Sequence, residues 1–520
     1  MSSQSAIIAQ DLVGSNGRTV EYIEEEEEED DIDYNFIHLR DHPGIEEVEG
    51  QNRPKRVHKG TAGLSSSIAN LSNTILGAGI LAMPFALHSN GVLLGLAVIL
   101  VSGITAAMGL YLQYRCSRYV ERGNASFFAI AQKTYPSLAV LFDTAIAIKC
   151  FGVGVSYLII IGDLMPQVVA DILSFEEEYY DSLFLSRRFW ITVFMVFIIP
   201  FCFLRKLDSL KYTSVIALVA IGYLTILVVS HWFIGDTIAD RGIVSVWPKN
   251  ISSVLASLPI VIFGFTCHQN MFSIVNELRD SRPISAVFII LTSIGSAVFL
   301  YTLVGLAGYL SYGDNISGNI IGMYPSSFTS AFGRIAIVIL VMFSFPLQCH
   351  PCRASLDHVY THFFPSVYSS SELAAGKHPF IPTKRFAYLS GGIIVASYFV
   401  AMIVSSLETV LAFVGATGST SISFILPGIF GYKLLGSPYH LPIEDYVNDE
   451  TTDEDGVVLV TPEESDDEEA PIINGVQVPL RDEDGEGRII KYTSLALFFW
   501  GLFVMVTCLS TNVYLLNHKT

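Results

Sequence analysis

Ser72-Asn73-Thr74-Ile75-Leu76-Gly77-Ala78-Gly79-Ile80-Leu81-Ala82-Met83-Pro84 is the stretch on which the reading of this chain turns. It lies inside the first long apolar run, residues 63–88. Gly77, Gly79 and Pro84 each weaken helix continuity. A helix that breaks in hydrocarbon strands backbone N–H and C=O groups. That is tolerated only where protein or a water-filled cavity satisfies them. Such a break either builds a binding site near the bilayer midplane or merely kinks a helix for packing, since Gly and Pro are common in membrane helices.

A second interruption favours the first option. Phe263-Gly264-Phe265-Thr266-Cys267-His268-Gln269-Asn270 breaks the apolar run 253–278. The two interrupted runs are the first and sixth membrane segments of the chain. Breaks at matching places in two five-helix halves are the pattern of an inverted-repeat transporter. The symmetry is one of hydropathy, with no residue-level repeat between the halves.

The composition agrees. The chain has 520 residues, 51% hydrophobic and 15% charged, with a mean hydropathy of +0.49. These values describe an all-α polytopic membrane protein in contact with lipid. The net charge of −19 is concentrated in an N-terminal tail, 1–59, with its acidic run Glu24 to Glu29, and in a loop within 436–490. Both are depleted in apolar runs and are expected to be disordered and cytosolic. No basic patch points to nucleic acid. The first apolar run starts after Lys59, which fits an uncleaved anchor and not a cleaved leader. The seven cysteines lie in or near apolar runs, so no disulfide framework is expected.

Eleven spans follow from hydropathy: 63–88, 91–113, 138–163, 188–204, 210–232, 252–277, 284–310, 330–350, 386–406, 408–432 and 492–515. The fourth is short for the roughly 20 residues a crossing needs. The ninth and tenth are divided only by a tight boundary at Ser405 to Glu408. Basic loops, such as Arg115, Arg118 and Arg122 or Arg205, Lys206 and Lys211, alternate with loops poor in Lys and Arg. The positive-inside rule then puts the N-terminus in the cytosol and the C-terminus across the membrane. A ten-helix core over 60–435 and an eleventh helix within 491–520 complete the expected organisation.

The chemistry centres on the two breaks. Ile75, Leu76, Gly77, Ala78 and Gly79 would present N–H groups at the start of a second half-helix, the end that carries partial positive charge and suits a carboxylate. The carbonyl end of the first half suits an ammonium group or a cation. A zwitterionic amino acid offers both charges. Phe263, Gly264, Phe265 and Thr266 contribute the second half of this candidate substrate site. Asn73 shares a helical face with Gly77; it is either a cation ligand or a polar bridge between helices. Ser344 is either an ion ligand or a hydroxyl bonded to a backbone carbonyl.

Lys149 is the most unusual charge. It falls near the middle of the third span, where an ammonium group marks function unless it snorkels to the interface. Asp143, six residues away, is about 9 Å along the axis and off-face, so a partner must come from another helix, a substrate or an anion. Lys149 is one candidate proton carrier. His268, at the second break, is another, with a satisfied core histidine as the alternative. Cys349-His350-Pro351-Cys352 is a weak metal or redox pattern without a second ligand pair, and no metal is assigned. No P-loop, dinucleotide fingerprint or hydrolase elbow occurs in a fitting context, so neither a cofactor nor an enzymatic activity is expected.

The stretch Ser66 to Pro84 resembles the first helix of the amino acid/auxin permease family. Phe263 to Asn270 running on to Asn276-Glu277-Leu278, Phe345-Pro346-Leu347-Gln348-Cys349-His350-Pro351-Cys352-Arg353, and Leu411-Ala412-Phe413-Val414-Gly415-Ala416-Thr417-Gly418-Ser419-Thr420 match it too. The resemblance covers about 60–435 and 490–516. It is strongest to the vacuolar amino acid transporters of yeasts and more distant to the animal sodium-coupled neutral amino acid transporters. It implies a LeuT-type arrangement of five plus five inverted helices with a peripheral eleventh, and secondary active transport of amino acids. In the sodium-coupled branch the ion site uses an asparagine at the position of Asn73 and a threonine where Ser344 stands. Lys149 departs from that branch. The resemblance thus implies proton-coupled export from vacuole lumen to cytosol, with a sodium-coupled plasma-membrane importer as the alternative. A receptor that senses amino acids through its acidic cytosolic segments is the reading from another class.

Overall fold

The computed structural model describes residues 12–13, 19–20, 60–120, 122–173, 183–205, 211–280, 282–364, 381–435, 472–473, 476–477 and 485–519. The acidic run Glu24 to Glu29 and nearly all of the acidic 436–484 loop lie outside them. The chain divides into two units, Met1–Arg56 and Val57–Thr520. In the first unit the described part is a hairpin, Leu12–Val13 antiparallel to Thr19–Val20. In the second, a like hairpin pairs Ile472–Ile473 with Val476–Gln477. The remaining regular structure described is helical.

The first apolar run forms α1, Leu64–Ile75, then a 3-10 turn at Ala78–Ala82 and α2, Met83–Asn90. The two pieces are bent by 45°. Pro84 falls in the first turn of α2, where its missing N–H costs nothing. Next come α3, Val92–Ser117; a short α4, Phe127–Thr134; α5, Ala139–Leu173; α6, Arg187–Cys202; and α7, Lys211–Ile234. The second interrupted run forms α8, Ile251–Gly264, and α9, His268–Glu277. Then follow α10, Pro283–Tyr312; α11, Phe328–Phe363; and α12, Thr383–Ile403. The tenth apolar run begins as α13, Leu407–Val414, passes through π-helical stretches at Gly415–Ser419 and Ser421–Ile425, and ends as α14, Leu426–Leu434. The last helix is α15, Gly485–Lys519.

Among the described residues nine helices are long and apolar enough to cross a membrane, and the bent pair α1 and α2 brings the number to ten. The expected span that falls short is α6. Its 16 residues cover about 24 Å, less than the roughly 30 Å hydrocarbon core. The tight boundary near 405 is a real break between helices: α12 ends at Ile403 and α13 starts at Leu407. Arg187 fastens that corner by donating to the Ala401 and Val404 carbonyls at 3.0 and 3.1 Å.

Two helices run well past their hydropathy limits. α5 continues to Leu173, and α11 carries both Pro346 and Pro351 inside it and reaches Phe363. The Cys349–Cys352 segment was expected to close a span; it lies mid-helix instead. The extension is paid for by charge pairing. The Arg353 guanidinium donates to the Cys202 carbonyl at 3.0 Å and to Ser390 Oγ at 2.9 Å, and it stacks over Phe386 at 3.9 Å. Asp357, also on the extension, pairs with Arg385. At the other end Arg334 is bound to Asp171 and donates to the Tyr324 carbonyl at 2.6 Å. α5 and α11 pack together along their lengths and form the spine of the bundle.

Candidate functional site

The two interrupted runs cross at their breaks. A Cβ added to Gly79 would lie 2.7 Å from Gly264 Cα, so only hydrogen fits between the backbones. This is why position 79 reads as glycine; at Gly264 an added Cβ would instead run into the Met83 side chain and lie 3.2 Å from Tyr301 Cε2. Gly77 has φ −121° and ψ −142°, and its missing side chain would face the Tyr157 hydroxyl at 3.6 Å. Its φ is not positive, so the role of Gly77 is space and not a left-handed turn. Among the described residues the buried N–H groups of Ala78 and Gly79 meet no acceptor. They begin the second half of the first broken run, where an anionic group would complete them.

The carbonyl side is organised by one side chain. The Tyr301 hydroxyl, from α10, lies 2.7 Å from the Ile75 carbonyl oxygen and 2.8 Å from that of Gly264. Phe265 meets the Tyr301 ring edge-on at 5.0 Å. The Thr266 hydroxyl turns back to the Ile262 carbonyl at 2.8 Å. Two further ties hold the runs together. Asn270 donates to Thr74 Oγ1 at 2.8 Å. At the far ends, Ala62 N donates to the Glu277 carbonyl at 2.8 Å and Arg279 N to the Ala62 carbonyl at 2.9 Å.

Lys149 is 2% exposed, which removes the snorkelling option. Its ammonium nitrogen sits 3.4 Å from Gln348 Oε1 on α11, and among the described residues no carboxylate pairs with it. It lies within electrostatic range of Cys267 and His268, so α5 brings this charge to the second break. Asp143 is occupied elsewhere, by His358 at 3.3 Å. The backbone of α5 at Lys149 is approached by Gly418: a Cβ there would lie 2.7 Å from Lys149 N.

The other candidates are placed as follows. His268 is fully buried; its Nε2 lies 3.1 Å from the Ala106 carbonyl and its Nδ1 3.1 Å from Ser423 Oγ. The carbonyl can only accept, which assigns the proton to Nε2 and leaves Nδ1 to accept from Ser423. Both nitrogens are thereby satisfied, as in a core histidine. Ser344 Oγ donates to the Leu340 carbonyl at 2.8 Å. The Tyr157 hydroxyl, which interacts with Ser344 and faces Gly77, stands between Ser344 and the first break. Asn73 is half-buried one helical turn before Gly77. Cys349 faces Cys202 on α6, while Cys352 Sγ contacts the Ala147 carbonyl on α5 at 3.5 Å, so the two thiols diverge. Sequence reasoning missed Tyr157, Tyr301 and Gln348. The two tyrosines lie in apolar runs with nothing local to mark them, and Gln348 entered only as part of the block Phe345 to Arg353.

The family described as transmembrane amino acid transporter protein matches residues 60–444. The chain is 40% identical over 492 residues to vacuolar amino acid transporter 6 of Saccharomyces cerevisiae, covering 87% of this chain and 99% of that protein. It is 47% identical over 381 residues to vacuolar amino acid transporter 5 of Schizosaccharomyces pombe, covering 73% and 86%. Among solved structures, MhsT in complex with L-phenylalanine superposes with a TM-score of 0.53 at 11% identity, covering 86% of this chain and 99% of MhsT. That likeness carries the LeuT-type fold alone.

Proposed function

This chain belongs to the transmembrane amino acid transporter family, and from that premise we propose a proton-driven transporter that moves amino acids from the vacuole lumen to the cytosol. The observation that carries the reading is the meeting of the two breaks beside Lys149. The bare N–H groups of Ala78 and Gly79 suit the substrate carboxylate. The Ile75 and Gly264 carbonyls suit its ammonium group. Lys149 supplies a buried, exchangeable cation next to the second break without a carboxylate partner among the described residues. The vacuolar relatives support the membrane, and the alternation of basic loops supports a cytosolic N-terminus and a lumenal C-terminus. An acidic lumen would then drive symport toward the cytosol.

Sodium coupling at the plasma membrane is less well supported. Tyr157 intervenes between Ser344 and the break that Asn73 precedes. The test is uptake of labelled amino acids into liposomes containing the purified protein, under an imposed proton or sodium gradient. Accumulation driven by the proton gradient alone supports the proposal. Accumulation that requires sodium and ignores pH refutes it.

A further inference from the structure

Tyr301 is fully buried and belongs to no interrupted run, yet it touches both breaks. Its hydroxyl has one proton and faces two carbonyl oxygens, at 2.7 and 2.8 Å. A carbonyl can only accept, so at any instant one of the two is served and the other faces an oxygen lone pair. The two acceptors are not equivalent. The Ile75 carbonyl also receives the Gly77 N–H at 2.9 Å, whereas among the described residues the Gly264 carbonyl has no other donor. With the site empty, the proton therefore rests on Gly264, the acceptor that would otherwise be buried without a partner.

From this bookkeeping we infer that Tyr301 is a positioning residue that links the two breaks: an ammonium group arriving at the Gly264 carbonyl releases the tyrosine proton to Ile75. Loading at the second broken run is thus written as a hydrogen bond on the first. The inference rests on the reading of the breaks as the substrate site and names the residue that couples its halves. Local packing supports transmission. Gly79 and Gly264 touch backbone to backbone, and a Cβ on Gly264 would reach Tyr301 Cε2 at 3.2 Å. The ring, the two glycines and the two carbonyls form one contact, so the hydroxyl cannot re-aim without both runs registering it.

The test compares Tyr301→Phe with Tyr309→Phe in the full-length protein in liposomes. Tyr309 is a control on the same helix, fully buried, whose hydroxyl accepts from Ser245 N at 2.8 Å, away from the breaks. Tyr301→Phe leaves the Gly264 carbonyl bare for the ammonium group but cuts the link, so it is expected to slow net flux about 10-fold at normal abundance without raising the half-saturation concentration; Tyr309→Phe leaves both unchanged. Equal effects in the two variants, or none in Tyr301→Phe, overturn the inference. A second variant places 4-aminophenylalanine at Tyr301. Its two N–H groups can serve both carbonyls at once, which keeps the fold but withholds both from the substrate, so half-saturation rises. Wild-type half-saturation in that variant also overturns it. Gly77→Leu separates the layers. Normal flux in Gly77→Leu sinks the site reading itself, whereas a dead Gly77→Leu with an unaffected Tyr301→Phe sinks only the link.

Discussion

Gly79→Ala is the smallest change that tests how the two broken runs work together. The added methyl would lie 2.7 Å from Gly264 Cα, 3.4 Å from Gly264 N and 3.7 Å from Phe263 Cδ1. Carbon atoms rest at about 3.5–4.0 Å, so the runs must separate by roughly 0.8 Å at the crossing. The atoms opposed are backbone and cannot rotate away. Overpacking of this kind costs about 1–3 kcal/mol, which a stable fold survives. The transport penalty should be larger, because a misplacement of about 1 Å in a binding constellation costs on the order of 100-fold. Gly77→Ala is the internal control for stability: its methyl meets only the Tyr157 hydroxyl, at an ordinary 3.6 Å. Proton-driven uptake into liposomes, paired with thermal unfolding of the detergent-solubilised protein, reads both quantities. Gly79→Ala should melt within several degrees of wild type and carry about 1% of its flux. Flux within threefold of wild type would refute the claim that the contact between the breaks sets the site.

Lys149→Met, similar in length and uncharged, should abolish most proton-driven flux. If the lysine reads an acidic side chain, glutamate and aspartate uptake falls far more than glutamine uptake; if it stands in for an ion, all fall together. Unchanged flux, pH profile and substrate ranking would make Lys149 structural. Arg334→Met leaves the 4%-exposed Asp171 side chain without its cation and should destabilise the protein by about 3–5 kcal/mol, with Arg334→Met/Asp171→Leu recovering part of the loss in the same melting assay. For sidedness, Asn315 is exposed and starts the sequon Asn315-Ile316-Ser317, whereas Asn124, also exposed, lies in a loop assigned to the cytosol. A glycan mapped to Asn124 by mass spectrometry would overturn the topology.

Both breaks were legible because glycine and proline announce them in any run that should be helical. Gly77 and Gly79 mark the first, and Gly264 the second. The span limits were legible only where burial follows hydropathy. On α11 it does not: Arg353 and Asp357 look like a loop after an apolar run, yet they are buried by partners on α6 and α12 that local sequence cannot reveal. Tyr301 was invisible for the converse reason. A tyrosine in an apolar helix reads as packing until a distant carbonyl is found opposite its hydroxyl. Lys149 announced itself as a charge, but Gln348, its neighbour, is 199 positions away.

The block Leu411 to Thr420 shows how a motif without evident chemistry acquires a physical role. It carries no titratable group, and its resemblance value lay only in its pattern. In the fold its first four residues end α13, and Gly415–Ser419 is the π-helical widening that follows. Its two glycines face different helices. Gly415 lies against the Pro259 carbonyl of α8, the first half of the second broken run, and Gly418 against the backbone of α5 at Lys149. A side chain at either would push one of these helices away, and in both cases the obstacle is backbone. The block therefore sets the spacing between α5 at Lys149 and α8 at Pro259. Gly418→Ala should then reproduce the loss expected of Lys149→Met while leaving the ammonium group present. Its methyl would come within 2.8 Å of Lys149 Cα, a displacement of roughly 0.7 Å from ordinary carbon contact. Uptake at wild-type rates in Gly418→Ala would show that the distance from α5 to the second break does not matter, and with it that Lys149 does not act there.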